Sequence, residues 1–121
     1  MPTNYVQDGN VINYANSGAA IASGEVVVVG EQIGVALVDI AATTGNGSVQ
    51  LDGVFELPKV SAAVIGQGES VIWDASEGAF EDNAATPATG DVSGCCVAVE
   101  AAGNGATTVK VKLNVGIGTV A

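Results

Sequence analysis

Histidine and arginine are absent from this chain of 121 residues, and its three lysines face thirteen acidic residues, for a net charge of −10. Binding to phosphate groups needs clustered basic side chains, so we expect no nucleic acid and no anionic membrane among its partners. The absence of imidazole also removes the commonest general base and the commonest metal ligand. We therefore predict that the chain is not an enzyme and has no catalytic, cofactor-binding or metal-binding residues.

Charged and aromatic residues are also scarce, at 13% and 4% of the chain. An ordinary soluble domain has roughly 25% charged residues. A single molecule with about half that share has difficulty covering its apolar surface, and exposed apolar patches mark interaction sites. We therefore expect oligomers or binding to something larger, with a core of small side chains drawn from twenty valines and nineteen alanines.

Long apolar runs are missing as well. The longest is far shorter than the roughly 18 to 20 residues of a membrane-spanning helix. Residues 1–7 have neither a basic start nor an apolar stretch. We expect no membrane partner and no targeting signal.

The two cysteines, Cys95 and Cys96, are adjacent in the chain. Neighbouring residues of a strand point to opposite faces of the sheet, so the two thiols are expected to be poorly placed to bond each other. We expect two buried or half-buried free thiols, with an intermolecular disulfide as the alternative.

Turn signals recur about every ten residues, between short segments rich in valine, isoleucine and threonine. This spacing is typical of an all-β sandwich or barrel. The clearest alternation places Val109 and Val111 on one face of a strand, and Lys110 and Lys112 on the other. At most one short helix is expected, near residues 60–65.

We expect a single β-domain over residues 1–121. Its special parts are an extended N-terminal arm, a long acidic loop and a Gly-rich C-terminal tail, at residues 1–17, 75–91 and 114–121, respectively.

The sequence contains an internal repeat. Residues 21–29 resemble residues 65–73, and residues 34–39 resemble residues 94–100. Both copies continue through two alanines into Gly-Asn-Gly and an alternating strand, and the later copy is longer because of residues 75–91. The repeat predicts two similar β-modules packed into one barrel-like core.

Scarce large side chains and loop acids supply the candidate contacts with other subunits or partners. Two tyrosines lie in an N-terminal segment that is either an edge strand or a strap onto a neighbouring molecule. Pro58 ends a predicted strand and indicates a sheet edge, where Phe55 belongs either to the core or to a subunit contact. The only tryptophan, Trp73, is expected in the core. The candidate contacts are Tyr5, Tyr14, Phe55, Leu57, Pro58, Glu81 and Asp82.

The acids of the predicted loop could in principle bind a hard cation such as Ca²⁺. Starting at Asp74, however, their spacing does not follow the EF-hand pattern. Catalysis by paired carboxylates would need two acids in contrasting environments across a cleft. We therefore expect a solvated loop that contacts a partner.

A set of short motifs, in order along nearly the whole chain, resembles the capsid cement (decoration) proteins of tailed phages. Some members of that family carry an older label as predicted RecA/RadA-type recombinases. The motifs are Tyr5-Val6-Gln7-x-Gly9, Gly24-Glu25-Val26-Val27-Val28, Gly34-Val35-Ala36, Gly53-Val54-Phe55-Glu56-Leu57-Pro58-Lys59, Gly68 with Trp73-Asp74, and Val109-Lys110-Val111-Lys112-Leu113.

The resemblance implies a β-rich structural protein of the virion, made in the bacterial cytoplasm and located on the outer face of the expanded head. There, homotrimers would bind the major capsid protein and clamp its subunits together. The recombinase label conflicts with the sequence, which has no Walker lysine and no basic face for DNA. The alternatives are a β-sandwich module for host-surface glycans, although five aromatic residues offer few exposed platforms, and a small hydrolase that uses acids such as Glu81 or Asp82.

Overall fold

A computed structural model of the chain describes residues 3–121. These residues form strands, turns and bends, and contain no helix that could cross a membrane. In chain order the strands are β1 (Val11–Ala15), β2 (Val26–Val29), β3 (Gln32–Ala36), β4 (Asn46–Gln50), β5 (Val54–Pro58), β6 (Ser70–Asp74), β7 (Ala79–Glu81), β8 (Val92–Ala98), β9 (Thr108–Lys112) and β10 (Thr119–Val120).

The all-β prediction is confirmed. In residues 60–65, where a short helix was the most that we expected, the structure has a turn followed by a bridge between Ile65 and Ala102. Residues 1 and 2 of the predicted arm lie outside the described residues, and residues 11–15 of that arm form β1. The predicted acidic loop, residues 75–91, contains β7.

The strands form two antiparallel sheets. Sheet I has the order β1-β4-β3-β2, and sheet II has the order β5-β9-β8-β6-β7, with β10 also paired to β8. A single parallel bridge between Lys59 and Phe80 brings the two edges of sheet II together at one end. The sheets are not closed into a barrel, so the fold is sandwich-like.

The two sheets repeat the same arrangement of four strands. β4, β3 and β2 are neighbours in sheet I as β9, β8 and β6 are in sheet II, and β1 flanks β4 as β5 flanks β9. The register agrees as well, since Val11 pairs with Gln50 and Val54 pairs with Lys112 at corresponding ends of these strands. The structure therefore contains the two similar modules that the internal repeat predicts.

The same glycine bulge precedes β2 and β6. The Gly24 N–H donates to the Ala36 carbonyl at 2.7 Å, and the Gly68 N–H donates to the Ala98 carbonyl at 2.7 Å. Both glycines have positive φ, at 90° and 82°, a conformation that glycine adopts without steric cost. These bulges establish which residues of the two modules are equivalent.

A second bulge, in β8, has no counterpart in β3. Val71 pairs with Cys96, but the next residue, Ile72, pairs with Ser93, so two residues of β8 have no partner on β6. The sequence repeat aligns Gly34 with Gly94, whereas the pairing makes Gly34 equivalent to Cys96. The sequence alignment is therefore out of register by two residues at this point.

This bulge also changes the expected arrangement of the cysteines. Cys95 and Cys96 are fully buried free thiols, as predicted, but their Sγ atoms are only 3.5 Å apart. No disulfide joins them, as expected, but the expectation that they point to opposite faces was wrong, because the bulge interrupts the alternation of side chains along the strand. Their mutual hydrogen bond and burial raise the pKa of the Cys95 thiol.

Buried apolar side chains form two clusters instead of the single barrel-like core that we expected. The larger cluster draws residues from both sheets, among them Ile33 and Val35 of β3 and Trp73 of β6, whose ring meets that of Phe80 edge-on at 5.0 Å. The core prediction for Trp73 is confirmed. Sheet I buries apolar residues on both faces, since Ile33 belongs to the larger cluster and Val49 to the smaller one. The smaller cluster comprises Val27, Ala36, Ile40 and Val49.

The C-terminal tail connects the two sheets. The Asn114 side chain accepts a hydrogen bond from the Ile33 N–H and donates to the carbonyls of Ile33 and Leu51. Further along, the Gly118 N–H donates to the Glu31 carbonyl of sheet I at 2.9 Å, immediately before β10 pairs with β8 of sheet II. The tail is therefore part of the folded domain.

We predict that Gly118→Ala destabilises the protein by about 1–3 kcal/mol because of overpacking. A Cβ atom at this position would lie 2.7 Å from Val92 Cγ1 and 2.9 Å from the Glu31 carbonyl oxygen. Gly116→Ala is the matched control, since its Cβ would meet nothing closer than the Gly94 oxygen at 3.7 Å. Urea unfolding of the two variants measures the effect, and equal midpoints would contradict the tight packing of the tail.

Candidate contact surface

The seven candidate contact residues do not form one patch. Tyr5 and Tyr14 belong to β1 and the segment before it, at one edge of sheet I. The other five lie on β5 or at the end of β7, the two edge strands of sheet II. The candidate contact residues therefore lie on at least two separate edges of the fold.

Strand β5 is the sheet edge that the sequence predicts from Pro58. Phe55 is half-buried against the larger core cluster, so its side chain contributes to the core, and its role in a subunit contact stays a prediction. Leu57 is only 3% exposed and is a core residue, so its side chain is not accessible for a contact. Val54, which we did not single out, is 53% exposed.

Pro58 is exposed and lies where the ends of the two sheets meet. A groove of about 180 Å³ at this junction is lined by Gly24, Glu25, Val26, Pro58, Trp73 and Gly78. Pro58 is therefore the candidate contact residue of β5 that lies next to β2, the edge strand of sheet I.

The two tyrosines differ in burial. Tyr14 lies in edge strand β1 and packs, half-buried, against the smaller core cluster. Tyr5 is 53% exposed and donates a hydrogen bond to the Asp8 carboxylate, while Val6 is 87% exposed. Residues 3–10 are all exposed, so for Tyr5 the role of a strap remains a prediction.

Glu81 and Asp74 form a carboxyl pair across the β6–β7 hairpin. Their mutual hydrogen bond, together with burial and the charges of Asp74, Asp82 and Asp91, raises the pKa of Glu81. The Ser76 hydroxyl, which donates to Asp74 at 2.7 Å, is the main cause that lowers the pKa of Asp74. As the pH falls, Glu81 takes up a proton before Asp74 does.

Asp82 and Asp91 shape the acidic loop. The Asp82 carboxylate accepts the Ala84 N–H at 3.0 Å, which forms a local turn. Asp91 is almost fully buried, and its carboxylate accepts the N–H groups of Ala75 and Ala88 at 3.1 and 2.9 Å. In the part of the chain that the structure describes, no three His, Cys, Asp or Glu side chains are grouped in a way that could hold a metal ion.

Among residues 3–121, positive charge is accessible only on β9. The Lys59 ammonium is buried and donates to three backbone carbonyls, those of Val60, Ser61 and Ala106, at 2.7 to 3.2 Å. Lys110 is exposed and pairs with Glu100 at 3.2 Å, and Lys112 is exposed on the same face of β9. A lysine that follows a strand-ending proline gives no sequence signal of burial, so the fate of Lys59 was not predicted.

Sequence analysis also missed an open groove beside sheet I. It has a volume of about 510 Å³ and combines small apolar side chains with two carboxylates. Its lining residues are Ala20, Ile21, Ala22, Glu25, Asp39, Ile40 and Ala41. These residues flank β2 and β3, and no local sequence pattern marks a groove there because its walls come from two segments that are separate in the chain.

We predict that Glu81→Gln stabilises the protein at pH 7 by at most about 0.5 kcal/mol, as expected for a partly solvated pair. Because the folded pKa of Glu81 is raised, its contribution to stability is complete below the ordinary glutamate pKa and is lost as the pH rises through the folded value. The gain should therefore disappear at acid pH. Urea unfolding at both pH values measures it, with Glu77→Gln as control, and a gain that persists at acid pH would contradict the carboxyl pair.

Comparison with known families gives one clear match. The model of the family described as phage cement protein matches residues 6–113, which include every strand from β1 to β9 and leave out β10. No curated protein matches the chain. Since the matched residues are most of the sequence, this chain belongs to the phage cement protein family.

Proposed function

We propose that the protein binds the outer surface of the expanded phage head as a homotrimer and stabilises contacts between major capsid subunits. The family match over residues 6–113 carries this proposal, since a phage cement protein has a structural role at the capsid of the virion. Phage cement proteins are not known as enzymes.

The distribution of exposed apolar side chains supports contacts with more than one neighbour. They occur in the N-terminal segment, after β3, on β5, in the turn after β5 and along the C-terminal tail. The large exposed ones are Tyr5, Val6, Leu37, Val38, Val54, Val64, Val115, Ile117 and Val120. A molecule that contacts several subunits of a lattice needs such separate patches.

Charge limits the kind of contact that is possible. The net charge is −10, and the exposed lysines of the described residues lie only on β9, so copies of the chain repel one another at low ionic strength. Contacts between copies must therefore be mainly apolar or made by the backbone. On the capsid, neutral or basic surfaces are the ones that fit.

Stabilisation of the head follows from mass action. A ligand that binds the assembled shell and not the separated subunits shifts the equilibrium towards the shell. Three linked copies on one site add avidity, so each individual contact can be weak.

We expect the purified protein to bind expanded heads that lack it, with saturable stoichiometry fixed by the symmetry of the head. It should also raise the temperature at which the heads come apart, measured by light scattering during heating. Heads that are unchanged in excess protein would overturn the proposal. Binding to a glycan array without affinity for heads would favour the host-glycan module instead.

The edge strand β5 supplies a variant for this assay. We predict that Val54→Asp weakens head binding about tenfold or more, because a charge replaces an exposed apolar side chain beside Phe55. Val64→Asp, equally apolar and exposed but in the turn after β5, is the matched control. A Val54→Asp affinity equal to that of the wild type would show that β5 is not the capsid contact.

A further inference from the structure

The two modules differ at one sheet edge. In sheet II, β6 pairs with β8 on one side and with β7 on the other. In sheet I the equivalent strand, β2, pairs only with β3. The extra strand β7 comes from residues 75–91, the stretch by which the second copy of the repeat is longer.

The free edge of β2 has unpaired backbone groups. The Ala36 N–H donates to the Glu25 carbonyl, so by the alternation of an antiparallel ladder Val26 and Val28 direct their N–H and C=O groups away from β3. Within residues 3–121 the N–H and C=O groups of Val26 and Val28 have no hydrogen-bond partner. Edge strands are usually protected by charge, proline or a bulge, and β2 consists of four valines.

Two equivalent glutamates, Glu25 in sheet I and Glu69 in sheet II, show how this edge differs between the two sheets. One oxygen of Glu25 accepts the Ala22 N–H at 2.7 Å, and one oxygen of Glu69 accepts the Gly66 N–H at 3.0 Å. The second oxygen of Glu69 also accepts the Asn83 N–H at 3.1 Å, from the segment that follows β7. In sheet I, Glu25 instead lines the open groove of about 510 Å³.

Strand β7 also contributes a buried aromatic ring to sheet II. Phe80 of β7 is fully buried and packs edge-on against Trp73. The residue equivalent to Trp73 is Val29, which is only partly buried, and the aromatic ring that packs against the smaller cluster, Tyr14, comes from β1 at the opposite edge of sheet I. An added strand with a central aromatic residue would supply both the missing ladder and a ring beside Val29.

We propose that the free edge of β2 binds, as an antiparallel strand, residues 4–7 of a second copy of this chain. This segment has an aromatic residue, Tyr5, next to a valine, and it is exposed. In the register of the β6–β7 hairpin, Tyr5 lies opposite Val29 and Val6 lies opposite Val28, as Phe80 lies opposite Trp73.

The arrangement of edges favours a second copy as the donor. The segment precedes β1, which is the edge of sheet I opposite to β2. Each copy therefore carries a donor segment at one edge and an acceptor at the other, and such head-to-tail contacts close into rings. Backbone pairing also suits copies that repel one another by charge. The inference rests on the proposed homotrimer and names the surface that forms it.

Disulfide trapping between two single variants tests the register. We expect Val6→Cys mixed with Val28→Cys to give a covalent dimer under glutathione disulfide, both in concentrated solution and on expanded heads. Val6→Cys mixed with Lys112→Cys is the control, because Lys112 is exposed on β9 of sheet II. Equal dimer yields in the two mixtures, or no dimer in either, would overturn the inference, as would a Val6→Cys/Val28→Cys double variant that cross-links only within one chain.

A proline variant tests the free edge separately. Val28→Pro removes an N–H that does not face β3, so sheet I should stay folded while an added strand is blocked. We expect it to lower trimer formation at least tenfold. Ala15→Pro on β1 is the matched control, since the neighbouring Asn16 N–H donates to the Gly45 carbonyl and the Ala15 N–H therefore points away from β4.

The two proposals fail in distinguishable ways. If Val28→Pro forms trimers on heads as the wild type does, the strand exchange is wrong and the cement function stands. If wild-type protein does not bind heads at all, the cement function is wrong, and the cross-link in solution still decides the strand exchange.

Discussion

Antiparallel backbone pairing is the interaction on which this molecule depends, because its side chains are small. Apart from the Trp73–Phe80 pair, the buried residues are mainly aliphatic side chains, two thiols and alanines. Each buried polar residue serves the backbone as well. Asn16 and Lys59, which follow β1 and β5 at equivalent positions, donate to loop carbonyls, and Asp91 accepts two loop N–H groups. A sheet held mainly by its ladders is sensitive to whether each edge strand has a partner.

The duplication connects this constraint to function. One module has an additional strand that pairs with its edge, and the other module has none there. A free edge is a liability for a protein that acts alone, since it can pair with other chains. For a protein of the phage cement family, which associates with the phage capsid, the proposed strand exchange would make the same edge a means of assembly.

Several elements were predictable because they depend on local patterns. Turn glycines and short valine-rich segments predicted the all-β fold, Pro58 predicted an edge at β5, and the scarcity of large side chains predicted a core position for Trp73. Others depend on partners that are distant in sequence. The bulge that brings Cys95 and Cys96 together is defined by pairing with β6, and the burial of Leu57 and Lys59 depends on residues of β9 and its preceding loop.

The sequence by itself determined the class of fold, the family and the existence of two related modules, because composition and repetition are properties of the chain. Only the tertiary structure decided that the buried apolar side chains form two clusters, that the C-terminal tail joins the two sheets through Asn114 and Gly118, and that β2 has a free edge while β6 does not. The physical reason is that a strand's hydrogen-bond partner is chosen by three-dimensional pairing, so a local pattern that predicts a strand does not reveal what lies beside it.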